Sequence, residues 1–209
     1  MKISVIVLIF VLGAIGFSCT EAKPTKNSSS TSAIKKGVAP VADNEVAVIE
    51  MENLSAYGTI TIELYSNIAP KMVARFKELA KEGVYAGTSF HRINQSVVQG
   101  GDPNSKDDDP LNDGTGNSDK PNVQAEFSDI PYDTAIVGAA RQSGDVNSQN
   151  SQFFITLKRE TGFDNKYTIF GKVVDGMNNV RTISGVSPKE GERPVEAIKI
   201  KSVTIKPKG

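Results

Sequence analysis

The sequence predicts a mainly β domain: an antiparallel sheet or barrel with helices covering its ends. Short β-rich runs recur through residues 45–209, and one of them, Thr59–Tyr65, alternates strictly with Ile60, Ile62 and Leu64 on one face. Only two stretches, Pro70–Gly83 and Gly176–Ile183, repeat apolar residues at helical spacing. Long polar connections separate the runs, and no repeat of 20–50 residues is visible.

Residues 1–19, MKISVIVLIFVLGAIGFSC, stand apart from the domain. One Lys precedes an apolar run of 15 residues, Ile3–Phe17, broken only by Ser4. That is the upper limit for a signal peptide and short of the roughly 20 residues a spanning helix needs. The chain's single Cys, Cys19, follows directly. Its position resembles a bacterial lipoprotein signal, in which the thiol is acylated and becomes the new N-terminus. Gly16 stands where such signals usually carry Leu. Ordinary cleavage beside an incidental Cys, or an uncleaved anchor, are the alternatives. The expected location is therefore outside the cytoplasm, anchored to a bacterial membrane and facing the periplasm or the cell exterior.

From Thr20 to Asn44, Ser, Thr, Lys, Pro and Ala dominate, and little could bury a core. The expectation is a flexible tether over 20–44 that holds the domain about 25–30 Å from its anchor. The remaining 165 residues, Glu45–Gly209, suit one domain.

Within it, Val46–Met51 and Thr59–Tyr65 read as strands joined through ENLSAYG as a hairpin connection. Pro70 opens a helix in which Met72, Val73, Phe76, Leu79 and Ala80 share a face, and Gly83 ends it. Further β-rich runs lie at Ser89–Ile93, Thr134–Ala139, Gln152–Leu157 and Tyr167–Val173. After the second helix, Val195–Ile205 reads as the last strand. There Ile198 and Ile200 share one phase while Val203 and Ile205 take the other, which predicts a bulge near Ser202.

Composition excludes several classes of function. Lys and Arg number 24, as do Asp and Glu, so no net basic charge recruits nucleic acid or an anionic membrane. One Cys and one His exclude an intramolecular disulfide, multi-cysteine metal sites and every two-histidine metal motif. The acidic loop SKDDDPLNDGTGNSDK fails as an EF-hand: with Gly114 as the turn glycine, the third place is Leu111 and the twelfth is Lys120. The Gly114–Gly116 pair lacks a third glycine for a dinucleotide loop, and no G-x-S-x-G elbow is present. Neither cofactor nor metal is expected.

Several segments point one way together. Phe90-His91-Arg92 is followed by Gln99-Gly100-Gly101-Asp102-Pro103. Asn150-Ser151-Gln152-Phe153-Phe154-Ile155 comes about fifty residues later, and Tyr167-Thr168-Ile169-Phe170-Gly171-Lys172-Val173 leads into Asp175-Gly176-Met177. In order and spacing this set resembles the cyclophilin family of peptidyl-prolyl cis-trans isomerases, and the likeness extends over essentially the whole 165-residue domain. The resemblance implies a closed antiparallel eight-stranded barrel capped by two α-helices.

It also implies the isomerisation of X–Pro bonds, here in exported proteins whose folding it would assist. The barrier of roughly 18–20 kcal/mol comes from amide resonance. In the twisted transition state the prolyl nitrogen becomes pyramidal and regains a lone pair, so a fixed donor aimed at it lowers the barrier. The resemblance puts Arg92 in that catalytic role. It implies backbone hydrogen bonds from Gln99 and Gln152, a proline pocket built on Phe154, a hold on the residue before proline by Ala140 and Arg141, and a substrate-binding place for Tyr167, where many relatives have His or Tyr. Alternation sends Phe154 to the face of Gln152, while Phe153 and Phe170 read as core. The implied partners are proline-containing polypeptides, with the protein itself a monomer.

The sequence also departs from the family pattern. The segment between Arg92 and Gln99 is one residue shorter than is common, placing Ser96 at a pocket phenylalanine and Val97 at the neighbouring methionine. A tryptophan position that favours cyclosporin binding falls on Gly162, with Phe163 beside it. A lost apolar wall motivates the alternative of a catalytically weak module, or chaperone, that holds proline-containing segments. A surface adhesin, for which only the anchor speaks, is a third reading.

Overall fold

The computed structural model describes residues 33–187 and 189–209. The expected signal peptide (1–19), Cys19 and the first part of the tether lie outside the described residues.

Period-two alternation makes the first hairpin. In β1 (Glu45–Met51) Ala47, Ile49 and Met51 turn inward, and in β2 (Thr59–Leu64) Ile60, Ile62 and Leu64 do so; all are fully buried. The strands run antiparallel with Ile49 opposite Ile60. The connection closes as one helical turn, α1 (Leu54–Tyr57), capped by Asn53 Oδ1, which accepts from the Ala56 N–H at 3.2 Å. Helix α2 (Pro70–Lys81) buries the five apolar residues its spacing predicts. Its free N-terminal N–H groups at Lys71 and Met72 donate to the Glu126 carboxylate at 3.2 and 3.0 Å, a favourable place for an anion.

The remaining elements are β3 (Arg92–Ile93), β4 (Val97–Gly100), β5 (Ile136–Ala139), β6 (Phe153–Thr156), β7 (Ile169–Asp175), α3 (Met177–Ser184), β8 (Lys189–Glu190), β9 (Arg193–Pro194) and β10 (Ile200–Pro207). Eight strands form one antiparallel sheet in the order β10-β1-β2-β7-β5-β6-β4-β3, and β8–β9 is a separate ribbon. The curled sheet holds the main core against α2 and α3, with Phe76, Tyr85, Phe90, Phe153 and Phe170 among its fully buried rings. A smaller apolar cluster gathers Tyr65, Ile68, Val97, Tyr132, Ile136, Phe154 and Ile169. The register shift opposite Glu50 and Met51 leaves Lys201 as the extra residue of β10, beside the expected bulge.

The closed barrel is corrected: the sheet is an open half-barrel. Its edges, β10 and β3, share no ladder; one antiparallel bridge, Ser89 to Lys199, spans the gap. Strand β3 ends after two residues, and its Ile93 N–H donates at 2.6 Å to the carbonyl of Glu192 on the ribbon. The edge group that a closing strand would use is thus already bonded.

Residues 33–44 are the described part of the segment expected as a tether over 20–44. As their composition predicts, they bury no large apolar surface, and Ile34, Val38 and Val41 stay exposed. Polar bonds hold them on the domain instead. Lys35 Nζ donates to the Ile68 carbonyl at 2.7 Å, Asn67 Oδ1 accepts the Val41 N–H at 3.0 Å, and Asp43 accepts Lys77 Nζ at 2.6 Å and Ser66 Oγ at 2.7 Å.

Candidate functional site

Strand register lines up the centre of the site. Arg92 on β3 lies opposite Gln99 on β4, Gln99 lies opposite Phe154 on β6, and Phe154 lies opposite Gly138 on β5. Directly opposed residues present their side chains to the same face, so one rung aligns a guanidinium, an amide and an aromatic ring. Gly138 is the small residue that this rung requires. A Cβ there would stand 2.5 Å from Phe154 Cζ and 2.7 Å from Tyr132 Oη.

A directed hydrogen-bond chain fixes the polar half. Arg92 Nη1 donates to Gln99 Oε1 at 3.1 Å, Gln99 Nε2 donates to Gln152 Oε1 at 3.0 Å, and Gln152 Nε2 donates to the Gly116 and Gly114 carbonyls at 2.8 and 3.1 Å. Each amide thereby has a defined orientation. The acceptor loop is organised by Asp102, a fully buried carboxylate that accepts the Asn104 N–H at 2.9 Å, the Gly116 N–H at 3.3 Å and the Gly114 N–H.

Aromatic rings build the apolar half. Phe154 meets Phe163 and Tyr167 edge-on, both at 5.5 Å between centroids, and stacks on Tyr132 at 5.8 Å. Burial pushes the Tyr132 phenol well above its ordinary pKa, so it stays neutral. The Arg141 guanidinium sits 4.7 Å over the Tyr167 ring.

These residues surround a cleft of about 410 Å³, lined by Arg92, Gln99, Val97, Phe154, Phe163 and Tyr167, with Ala140 and Arg141 at one side. Gln152 lies in an adjoining cavity of about 330 Å³ that shares Gln99, Ala140 and Arg141 with the cleft. Ala140 itself is pinned by its N–H, which donates to the Gln152 carbonyl at 3.0 Å. The structure therefore brings Arg92, Gln99, Ala140, Arg141, Gln152, Phe154 and Tyr167 together, while Cys19 lies outside the described residues.

His91 also touches the cleft, but it is 5% exposed and its burial pushes the imidazole pKa down, leaving it neutral near pH 7. Among the described residues, no three His, Cys, Asp or Glu side chains are grouped to hold a metal ion. A partly apolar cleft in which Arg92, Arg141 and Arg193 are balanced by Asp113, Glu190 and Glu192 can bind a peptide and donate a hydrogen bond.

Val97 and Phe163, which the sequence marks only among departures from the family pattern, line the cleft, and so does Glu192, which no motif marks. Val97 sits on a strand with no alternation to announce it. Phe163 follows a glycine in a 3-10 turn, Thr161–Phe163. Glu192 belongs to a hairpin of four paired residues, and its only sequence signal is the Glu-Gly-Glu turn composition.

The family model described as cyclophilin type peptidyl-prolyl cis-trans isomerase matches residues 47–205. A probable peptidyl-prolyl cis-trans isomerase of Brucella suis is 40% identical over 153 residues, 71% of this chain and 78% of that protein. The Schizosaccharomyces pombe peptidyl-prolyl cis-trans isomerase ppi1 is 38% identical over 160 residues, 74% of this chain and 96% of that protein. Among solved structures, a Cryptosporidium parvum cyclophilin type isomerase, crystallised in the presence of the dipeptide Ala-Pro, superposes with a TM-score of 0.69 at 28% identity, covering 78% of this chain and 99% of that one.

Proposed function

The chain belongs to the cyclophilin-type family of peptidyl-prolyl cis-trans isomerases, and we propose that it isomerises X–Pro bonds of exported polypeptides in the Arg92 cleft, as a lipid-anchored monomer that assists their folding. The observation that carries this reading is the rung Arg92–Gln99–Phe154, which sets a cationic donor and an aromatic floor on one face.

The proline ring packs on Phe154, with Phe163, Val97 and Tyr167 as its walls. Gln99 and Gln152 hold the peptide backbone, and Ala140 with Arg141 holds the residue before proline. Arg92 donates to the prolyl nitrogen as it becomes pyramidal, a contact stronger in the transition state than in the planar ground state. The reaction rotates a bond and transfers no group, so this chemistry requires neither nucleophile nor cofactor.

The weak binding module was motivated by Ser96 at a pocket phenylalanine. Phe163 supplies an aromatic wall to that cleft, which favours the catalytic reading. Export and lipidation rest on the run Ile3–Phe17 and on Cys19 directly after it. Among the described residues no helix is long and apolar enough to cross a membrane. A protease-coupled isomerisation assay on the full chain, with Arg92→Ala beside it, tests the activity. Catalysis by wild type and its loss in the variant is the expected result, and equal rates would remove Arg92 from the mechanism.

A further inference from the structure

We propose that Glu192, at the tip of the β8–β9 hairpin, is a positioning residue that orients the Arg92 guanidinium for donation into the cleft. This deepens the reading of Arg92 given above and rests on it.

The hairpin is built to deliver one carboxylate. Lys189 pairs with Pro194 and Glu190 with Arg193, leaving Gly191 and Glu192 as a two-residue turn. Gly191 has φ of 63°, which a two-residue turn needs and glycine adopts without a Cβ penalty. The tip is docked through its backbone, since the Glu192 carbonyl accepts the Ile93 N–H at 2.6 Å. Its side chain is held as well: Oε1 accepts Asn94 Nδ2 at 2.9 Å. Asn94 is itself fixed, because its Oδ1 accepts the N–H groups of Ser96 and Val97, both at 2.9 Å, in the turn between β3 and β4.

The other carboxylate oxygen, Oε2, accepts Arg92 Nε at 2.5 Å. Gln99 takes Nη1 from the opposite side of the group. A planar fork held through Nε and Nη1 loses its freedom to rotate, and Nη2 has no partner among the described residues. That nitrogen is left to donate to substrate. The hydrogen bond from Asn94, followed by the contact with Arg92, holds the Glu192 carboxyl below its ordinary pKa, so the clamp is ionised at neutral pH.

Both side chains of the pair are 46% exposed. Ion pairs at such exposure add little to stability. The consequence therefore falls on rate, through a donor positioned before substrate arrives.

The experiment compares Glu192→Ala, Glu192→Gln and Arg92→Ala in the full chain by steady-state isomerisation, thermal unfolding and the NMR signal of the Arg92 Nε–H. Glu192→Ala is expected to lower kcat roughly ten-fold, the effect of one lost orienting hydrogen bond to a charged group, with KM and the unfolding midpoint unchanged. Its Nε–H signal should move upfield and exchange faster with water. Glu192→Gln, which keeps an acceptor oxygen, should recover part of the rate. A wild-type kcat in Glu192→Ala, with Arg92→Ala inactive, overturns the proposal while leaving Arg92 catalytic. A fully active Arg92→Ala overturns both.

Discussion

The rings of Phe154 and Phe163 meet edge to face, with 5.5 Å between centroids and 71° between planes. This contact replaces a wall that the β3–β4 turn does not supply. Ser96, at the position of a pocket phenylalanine, turns its hydroxyl to Glu160 Oε1 at 2.6 Å and brings no apolar surface to the cleft. Phe163 lines the cleft from the 3-10 turn Thr161–Phe163.

Phe163→Ala should therefore weaken substrate binding more than turnover. Phe163 is only partly buried, so losing its contact costs about 1–2 kcal/mol, or roughly a five- to thirty-fold rise in KM. Steady-state kinetics on a proline peptide check this, and an unchanged KM would show that Phe163 is not a wall of the substrate pocket.

Asp43 offers a pH-dependent test of the docked segment 33–44. Burial raises its pKa, but hydrogen bonds from Lys77 and Ser66 outweigh this and leave it below the ordinary 3.8. A carboxylate whose folded pKa is depressed contributes its stability in full above the unfolded value and loses it as pH falls through the folded one. Asp43→Asn should accordingly lower stability by about 1–2 kcal/mol at pH 7, with the difference shrinking below pH 3.8. Chemical denaturation of both proteins at pH 7 and pH 3 decides it, and an equal gap at both would assign the effect elsewhere.

Asp102 holds both ends of the acidic loop, accepting the N–H groups of Asn104, Gly114 and Gly116. Gly116 makes room for that carboxylate, since a Cβ there would lie 2.1 Å from Asp102 Oδ1. Chelator should leave both activity and the unfolding midpoint unchanged, whereas Asp102→Ala should lower both, because it strips the acceptor from three loop N–H groups. Scanning calorimetry with and without chelator is the check, and a drop on chelation would point to a bound cation.

Where burial is one-sided, the sequence was easy to read. Ile60, Ile62 and Leu64 alternate because β2 faces core on one side only, and the phase slip between Ile200 and Val203 marked a bulge directly. Strand β4 escaped notice because Val97 and Val98 are both buried, one in each apolar cluster, so no alternation appears. The β8–β9 ribbon is short and polar, and it depends on docking to β3, which no local pattern reports. The ordered motifs named Arg92, Gln99, Gln152 and Phe154, but Phe163 and Glu192 reach the cleft only through the tertiary fold. Sheet closure was misjudged for the same reason, since it turns on what meets the outer edge of a two-residue strand.

Anchoring is tested at Cys19. The full chain should incorporate a fatty-acid probe and fractionate with membranes, and Cys19→Ser should do neither. One acyl chain binds membranes only marginally, so stable fractionation implies more than one lipid signal. Unlabelled wild-type protein in the soluble fraction would sink the lipoprotein reading while leaving the isomerase reading intact.

The division of labour between Arg92 and Phe154 follows from where each stands on the rung. Arg92 Nη2 has no partner among the described residues, and on the proposed mechanism it donates where the nitrogen becomes pyramidal, so Arg92→Ala should lower kcat and kcat/KM together. Losing a charge-assisted hydrogen bond of about 1.5–3 kcal/mol predicts roughly a ten- to hundred-fold fall. On the same proposal Phe154 holds the proline ring in ground and transition states alike, so Phe154→Ala should chiefly raise KM, the mark of uniform binding. Phe154 is 4% exposed and stacks on Tyr132, so its variant needs matching far-UV spectra before kinetics are compared. If KM lies beyond reach, peptide titration by NMR carries the contrast: Arg92→Ala should retain binding and Phe154→Ala should lose it. A Phe154→Ala variant that folds, keeps its KM and loses kcat would place the ring in transition-state stabilisation and reverse the assignment.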